Sequence, residues 1–354
     1  MDAVNDYAFI NANLRGKLSH ILSLDFLLEC ASSKDLPTFF SALKNSPFNY
    51  LCDIYHNTAD IKSCEKGLRE NELEIIKYIY KKSPLTIQPF MQAIIARYEI
   101  DNIKELSRLW FDQNIRGRSI DKVALYINKD VVLHPIPIDP ILNAATPQEV
   151  VGLFAQTPYA HLFKTHFETS IEEKSLYFFE TDLDNYYYGL LIDSLSTLNT
   201  LDKKIATRYV GTLIDIENLN RIVRLSYYFA FSKEQIVAQI LLGGTILNQS
   251  GIKKISDMEP FDVVEILKVH YGKYLLDIKG IDQKRWLFAA LLKIQEISFL
   301  LLEKQAFKAL SCEPFSIGVI IAFIIKKTIE LRRLSTLINA KYYNLSYQRI
   351  KELL

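Results

Sequence analysis

Glycine and proline are scarce in this chain, with 12 and 11 residues respectively among 354. Both residue types interrupt helices, glycine through its backbone entropy and proline through its missing N–H. Their scarcity therefore favours helices over strands and tight turns. Apolar residues make up 49% of the chain and charged residues 23%, a composition that can bury a sizeable core. We expect an all-α fold.

Cysteines and long apolar runs are also few. The four cysteines are Cys30, Cys52, Cys64 and Cys312. Their spacing is not that of a secreted, disulfide-linked domain. The acidic and polar start, residues 1–6, is unlike a signal peptide, and the longest apolar run, Ile317 to Ile325, is about half of the ~20 residues that span a bilayer. These features predict a cytoplasmic protein without its own membrane anchor, which could still sit on a membrane protein.

The chain has no excess of charge of either sign, since 42 basic and 41 acidic side chains give a formal net charge of +1. Nucleic-acid binding normally requires a basic excess, so we expect no nucleic-acid partner. Neither a G-x-x-x-x-G-K-[ST] phosphate loop nor a dinucleotide fingerprint occurs. Gly243-Gly244 has no lysine nearby and is expected to end a helix. The sequence predicts no direct nucleotide binding.

Candidates for catalysis or metal binding are weak. Cys52 and His56 are spaced i, i+4 with Cys64 further on, but a fourth ligand is not evident. The acidic pairs Glu172-Glu173 and Asp182/Asp184 are typical of solvated helix faces or first helical turns. We predict no catalytic residue, no cofactor and no metal. An enzyme with an unrecognised site remains an alternative, which a deep pocket with convergent polar groups would indicate.

Apolar residues at helical spacing recur through most of the chain. Leu36, Phe39, Phe40 and Leu43 fall at i, i+3, i+4 and i+7, and Pro37 suits a first turn. The other predicted helices span about Glu70–Lys82, Ile87–Leu109, Asp184–Leu198, Leu201–Tyr228, Glu259–Leu276 and Lys284–Leu310, followed by one long and one short helix within Ser316–Leu354. The proline-rich stretch His134–Pro140 is predicted to be a linker.

Three segments, beginning at Glu99, Asp215 and Glu330, align without gaps and lie 116 and 115 residues apart. Each opens with an acid and continues with apolar residues at offsets of one, four and seven. An aromatic residue follows at an offset of twelve: Phe111, Tyr227 and Tyr342. Ser119, Ser232 and Ser346 are then predicted to cap the next helices. This repeat predicts three homologous lobes, residues 1–130, 131–245 and 246–354, in a closed pseudo-threefold body.

The repeat leads to a family resemblance. The stretch Glu313-Pro-Phe-Ser-Ile-Gly through Asn344-Leu-Ser resembles the C subunit of the archaeal and bacterial A/V-type ATPases, whose eukaryotic counterpart is the d subunit of the vacuolar-type enzyme. Asp215-Ile-Glu-Asn-Leu is similar to the family's central motif, and residues 7–18 are similar to its opening helix. The chain departs from the family pattern at Asn13, where an arginine is usual, and at Arg333, where an asparagine is usual.

The resemblance implies a funnel of three helical lobes that acts as a non-catalytic rotor adaptor. Such a protein would link the central stalk to the membrane proteolipid ring on the cytoplasmic face of the membrane. It would transmit torque for proton or sodium transport without binding nucleotide. A helical scaffold of another protein complex is the alternative reading.

The predicted partner-binding residues are the polar positions on the three equivalent helices. They are Asn102, Asn218, Arg221, Arg224, Arg332 and Arg333. We expect them to line a central opening and to touch the stalk. For Asn102 and Asn218 the alternative is that they only bond neighbouring helices within their own lobe.

Overall fold

A computed structural model describes residues 3–124, 126–259 and 283–354, together with the single positions 266 and 269. All regular structure in these residues is helical, and they contain no strand, which confirms the predicted all-α class. The helix predicted at about Glu259–Leu276 lies outside the described residues.

The described helices are numbered here in chain order. They are α1 Ala3–Leu18, α2 Leu24–Ala31, α3 Leu36–Ala42, α4 Asn49–Thr58, α5 Ile61–Lys82, α6 Gln88–Asn114, α7 Asp121–Ala124, α8 Ile138–Asn143, α9 Pro147–Leu153, α10 Ala160–Leu162, α11 Glu168–Glu172, α12 Tyr177–Ser194, α13 Thr200–Tyr227, α14 Lys233–Ala238, α15 Gln249–Ser256, α16 Gln283–Leu310, α17 Gly318–Tyr342 and α18 Tyr347–Leu353. A π-helical turn at Phe163–Phe167 joins α10 to α11, and 3-10 turns occupy Leu43–Asn45, Leu85–Ile87 and Leu195–Thr197.

Helix starts follow their capping residues. Ser232 and Ser346 cap α14 and α18 as predicted, each accepting a backbone N–H three residues on. The predicted start near Glu70 is wrong by nine residues, because the Asp60 carboxylate accepts the N–H groups of Lys62 and Ser63 and starts α5 at Ile61. A capping aspartate is thus a stronger start signal here than the onset of apolar periodicity.

The proline-rich stretch is only partly a linker. Residues up to Pro137 are non-helical, but α8 begins at Ile138 and contains Pro140 in its first turn. A proline is tolerated there because the first N–H groups of a helix have no intrahelical acceptor. The observed linker therefore ends at Pro137, three residues before the predicted end at Pro140.

The chain divides into two compact units. Unit 1 comprises residues 1–21 and 198–330, and unit 2 comprises residues 22–197 and 331–352, with the last two residues divided between them. The predicted lobe boundaries at residues 130 and 245 stay a prediction.

The second half of α17 is buried among the first helices of unit 2. Leu334, Leu337 and Ile338 are fully buried and share one apolar cluster with residues of α2–α5. On the same helix, the Ser335 hydroxyl and the Asn339 amide both donate to Glu65 Oε1 of α5, at 3.3 and 2.5 Å. Helices from opposite ends of the chain therefore form a single core.

Aromatic packing fills the other part of unit 2, where α6 packs against α12. The rings of Phe154 and Phe163 stack with centroids 3.7 Å apart, and Phe167 and Phe179 meet Phe163 tilted and edge-on respectively. The π-helical turn carries Phe163 and Phe167 and turns both rings into this cluster. Four of the chain's 20 phenylalanines therefore pack in this one cluster.

In unit 1, α13 packs along α16, and α1 is fixed to the starts of α13 and α17. Tyr7 Oη donates to Asp202 Oδ2 at 2.6 Å, and the same carboxylate accepts the N–H of Ile317 at 2.8 Å. The Asn11 amide donates to the carbonyl of Pro314 at 2.8 Å. Burial and the neighbouring Asp202 charge both raise the pKa of Tyr7, so this phenol stays protonated as a donor.

Removing a buried side chain of α17 tests whether it completes the core of α2–α5. Leu337→Ala is expected to lower the free energy of unfolding by about 2–5 kcal/mol, because it leaves a cavity in that cluster. Hydrogen exchange should quicken mainly in residues 24–82. Leu300→Ala, at a side chain of α16 that is 40% exposed, is the control. Equal destabilisation by both substitutions would contradict the packing described here.

Candidate functional site

The opening acid of the first repeat is a buried anchor. Glu99 lies in the middle of α6 with 1% of its surface exposed. Its Oε2 accepts the backbone N–H groups of Leu133 and His134, both at 2.7 Å. Its Oε1 lies 2.7 Å from His134 Nδ1 and accepts the Tyr159 hydroxyl at 2.8 Å. Burial and the Glu99 charge raise the pKa of Tyr159, which remains a donor.

The opening acid of the second repeat is likewise a buried anchor, in unit 1. Asp215, also 1% exposed, lies in the middle of α13 and accepts three consecutive backbone N–H groups. These belong to Thr245 at 3.0 Å, Ile246 at 2.8 Å and Leu247 at 2.8 Å. The pKa of Asp215 is raised to about 6 because the lowering effect of the three N–H donors is smaller than the raising effect of burial.

The asparagine three residues after each acid holds the same returning segment. Asn102 donates to the carbonyl of Asn128 at 3.0 Å. Asn218 donates to the carbonyl of Leu241 at 2.9 Å and accepts its N–H at 2.8 Å. In both copies the asparagine binds the start of the segment and the acid binds it four to six residues later. The repeat found in the sequence is thus a structural repeat in copies one and two.

The third copy is built differently. Glu330, 2% exposed, pairs with Lys327 one turn earlier on α17, with Nζ and Oε2 2.9 Å apart. Arg333 stands at the position of the asparagine. A buried acid is therefore common to all three copies, and its cationic partner here comes from its own helix.

Two glycines allow the returning segment of unit 1 to approach Asp215. A Cβ on Gly244 would collide with Asp215 Oδ1 and lie 2.9 Å from the carbonyl oxygen of Leu247. A Cβ on Gly211 of α13 would lie 2.5 Å from Thr245 Oγ1. The expectation that Gly243-Gly244 ends a helix is wrong, because α14 ends at Ala238. A Gly-Gly pair about thirty residues after the opening acid is the sequence signal for this contact.

The six predicted partner-binding residues differ in exposure. Asn102, Asn218 and Arg221 are buried, Arg333 is half-buried, and Arg224 and Arg332 are exposed. Arg221 Nε lies 2.9 Å from Glu217 Oε1, and its Nη1 donates to the carbonyl of Gln239 at 3.0 Å. The two asparagines and Arg221 are therefore committed to holding a returning segment of their own unit.

Known proteins resemble this chain over nearly its whole length. Residues 10–353 match the family model described as ATP synthase (C/AC39) subunit. The chain belongs to this family. Among the curated members of the C/AC39 family, the C subunit of the A-type ATP synthase of Methanocaldococcus jannaschii is 25% identical, with 98% of this chain and 86% of that protein aligned. The corresponding protein of Pyrococcus furiosus is 22% identical, with 98% and 90% aligned.

Family membership confirms the resemblance drawn from the sequence and the prediction of a non-catalytic subunit of a rotary ATPase. In this family member, sequence reasoning did not identify Tyr159 and His134 as polar partners of Glu99. Both lie far from Glu99 in sequence and meet its carboxylate only after folding.

Asp184 on α12 of this C/AC39 family member, an acid expected to be solvated, instead pairs with α6. Asp184 Oδ1 lies 2.6 Å from Lys104 Nζ and 3.3 Å from Arg97 Nη1. Glu180 receives two hydrogen bonds from Arg108, at 2.5 and 2.6 Å. Lys104 is 8% exposed, so its bond to Asp184 is screened less than the pair made by the exposed Arg108. These pairs fix the register of α6 against α12.

The weak metal candidate does not assemble in the part of the chain that the structure describes, where no group of three metal-ligating side chains occurs. The Cys52 thiol donates to the carbonyl of Phe40, and Cys64 is buried in the core of unit 2. A cavity of about 20 Å³ beside Glu99 and His134 has room for a single water molecule. Among the described helices, none is long and apolar enough to cross a bilayer.

A Cβ at Gly244 tests the contact between the returning segment and Asp215. Gly244→Ala is expected to lower the free energy of unfolding by about 1–3 kcal/mol, because the neighbouring backbone must shift. Gly189→Ala, inside α12 where a Cβ meets nothing within 4 Å, is the matched control and should stabilise the protein by about 0.5–1 kcal/mol. Urea unfolding measures both. A neutral Gly244→Ala would refute the close approach.

Burial of Asp215 predicts a pH dependence of stability. Its pKa is about 6 in the folded chain and near 3.8 when exposed, so between these values the folded state keeps a proton that the unfolded state releases. The free energy of unfolding should therefore fall by about 1.4 kcal/mol per pH unit from about pH 4 to pH 6 because of this group alone. This contribution should be absent from Asp215→Asn. Urea unfolding of both proteins across this range measures it, with Asp53→Asn on an exposed position of α4 as control. Parallel profiles for wild type and Asp215→Asn would contradict the raised pKa.

Proposed function

We propose that this member of the C/AC39 family is the rotor adaptor of an A/V-type ATPase. It links the central stalk to the proteolipid ring on the cytoplasmic face of the membrane and transmits torque during proton or sodium transport. The observation that carries the proposal is the repeated helix arrangement in a chain that matches the family over nearly its whole length.

The threefold repeat in the sequence supports a pseudo-threefold funnel. Each acid-bearing helix packs on another long helix: α6 on α12 and the second half of α17 on α5 in unit 2, and α13 on α16 in unit 1. The lobes proposed are residues 1–130, 131–245 and 246–354.

The buried anchors support a mechanical role. Glu99 and Asp215 tie the middle of a long helix to a segment about thirty residues further on, and both carboxylates are buried. Close-packed interiors with satisfied polar groups deform little under load. A body of this kind transmits torque between two partners because it deforms little itself.

The exposed arginines are the proposed contacts to the stalk. Arg224 and Arg332 are exposed on α13 and α17, and Arg333 is half-buried beside Arg332. Guanidinium groups form bidentate pairs with carboxylates and are enriched at protein interfaces. Asn102, Asn218 and Arg221 act in this proposal by positioning the segments around the opening.

Capture of the tagged chain from gently solubilised native membranes tests the adaptor role. Recovery of the ring proteolipid and the central-stalk proteins in fixed ratio, measured by mass spectrometry, is the expected result. Recovery of an unrelated complex would support the helical scaffold alternative, and recovery of the chain alone would contradict both readings.

The same capture with Arg224→Glu/Arg332→Glu tests the residues. Stalk recovery is expected to fall at least tenfold while the ring is retained, because two attractive charges become repulsive. Both sites are exposed, so the melting temperature should stay within about two degrees of wild type. Lys34→Glu/Lys254→Glu changes the net charge equally at exposed positions and is the control. Unchanged stalk recovery would remove these arginines from the interface.

A further inference from the structure

The first turns of α13 carry a basic face. Lys203, Lys204 and Arg208 are exposed, and their side chains make no hydrogen bond or ion pair with any described residue. Asp202 is the one acid among residues 200–210, and it is buried and bonded to Tyr7 and Ile317. Three cations therefore face solvent on the first turns of α13, and the exposed acids described at this end of unit 1, Asp6 and Glu313, lie on other segments.

Helix stability does not explain these cations. The N-terminal end of a helix carries a partial positive charge, so lysines in its first turns are slightly unfavourable. The first repeat has Gln88 and Gln92 at the positions of Lys204 and Arg208, and the third has the buried Val319 and Phe323. The basic face is a feature of the second copy alone, and the repeat does not require it.

Exposed apolar side chains occur at the same end of unit 1. Leu201, 40% exposed, starts the basic face, and Phe307, 73% exposed, lies one turn before the end of α16 next to the exposed Lys308. The bond from Ile317 N–H to Asp202 brings the turn after α16 to the start of α13. We call Leu201, Lys203, Lys204, Arg208, Phe307 and Lys308 the basic end of unit 1.

Exposed aliphatic and aromatic side chains among lysines are typical of surfaces that bind at the edge of a lipid bilayer. The apolar groups enter the headgroup region, while long basic side chains reach anionic headgroups. We propose that the basic end of unit 1 binds an anionic phospholipid surface directly. This inference goes beyond the proposed function, because it concerns the lipid surface and not the ring or the stalk.

Sedimentation of the full chain with vesicles tests the inference. The chain should bind phosphatidylcholine vesicles that contain phosphatidylserine, and should bind pure phosphatidylcholine much less. Each basic residue near an anionic surface contributes about a fivefold gain in partitioning. Lys203→Gln/Lys204→Gln/Arg208→Gln should therefore weaken binding by about a hundredfold, and high salt should weaken wild-type binding in the same direction. Leu201→Ser/Phe307→Ser should also weaken it.

Lys34→Gln/Lys253→Gln/Lys254→Gln is the matched control, because it removes three exposed cations elsewhere and leaves the same net charge. Wild-type binding by this control supports the inference. No binding of wild type to the anionic vesicles, or an equal loss in the control, overturns it. Tighter binding to soluble poly-glutamate than to vesicles, unaffected by Leu201→Ser/Phe307→Ser, would identify an acidic protein partner and also overturn it. None of these results bears on capture of the ring and stalk, so the two proposals can fail separately.

Discussion

The structure depends on a carboxylate in the middle of a long helix that binds the backbone of a segment returning about thirty residues later. A buried carboxylate is costly unless donors surround it, and Glu99 and Asp215 each receive at least three. The same bonds satisfy backbone N–H groups of residues that belong to no helix or strand. The same hydrogen bonds thus satisfy both the buried carboxylate and the backbone N–H groups, and they fix a non-helical segment to a helix.

These anchors also give several buried titratable residues a structural role. Glu99, Tyr159 and Asp202 would attract notice as buried titratable residues in an enzyme. Each is used to join elements that are distant in the chain: α6 to the segment before α8, and α1 to the starts of α13 and α17. The surfaces proposed here to bind partners, Arg224 and Arg332 and the basic end of unit 1, are exposed and do not take part in these anchors.

Much of the fold could be predicted because helical periodicity and capping are local. The bounds of α13 and α16 differ by about a residue from those predicted, and the capping serines of α14 and α18 are confirmed. The repeat pointed to the anchoring acids, since their spacing is visible in the sequence. The hydrogen-bond donors to these acids could not be predicted in this way. Only tertiary packing brings Tyr159 to Glu99, and Thr245 to Leu247 to Asp215. Arg224 is exposed whereas Arg221 is buried, and the sequence of one helix does not reveal that difference.

The division of the chain between its two units has a consequence for synthesis. The α2–α5 core is completed by α17, more than 250 residues later, and α1 is fixed by residues 202, 314 and 317. At ribosomal rates of about 5–20 residues per second, the first helices wait on the order of tens of seconds for their partners. During that interval Phe39, Phe48 and Leu51 have no complete core to enter. The nascent chain is thus a predicted client for chaperones, and a premature stop close to the C-terminus would leave both ends of the protein unfolded.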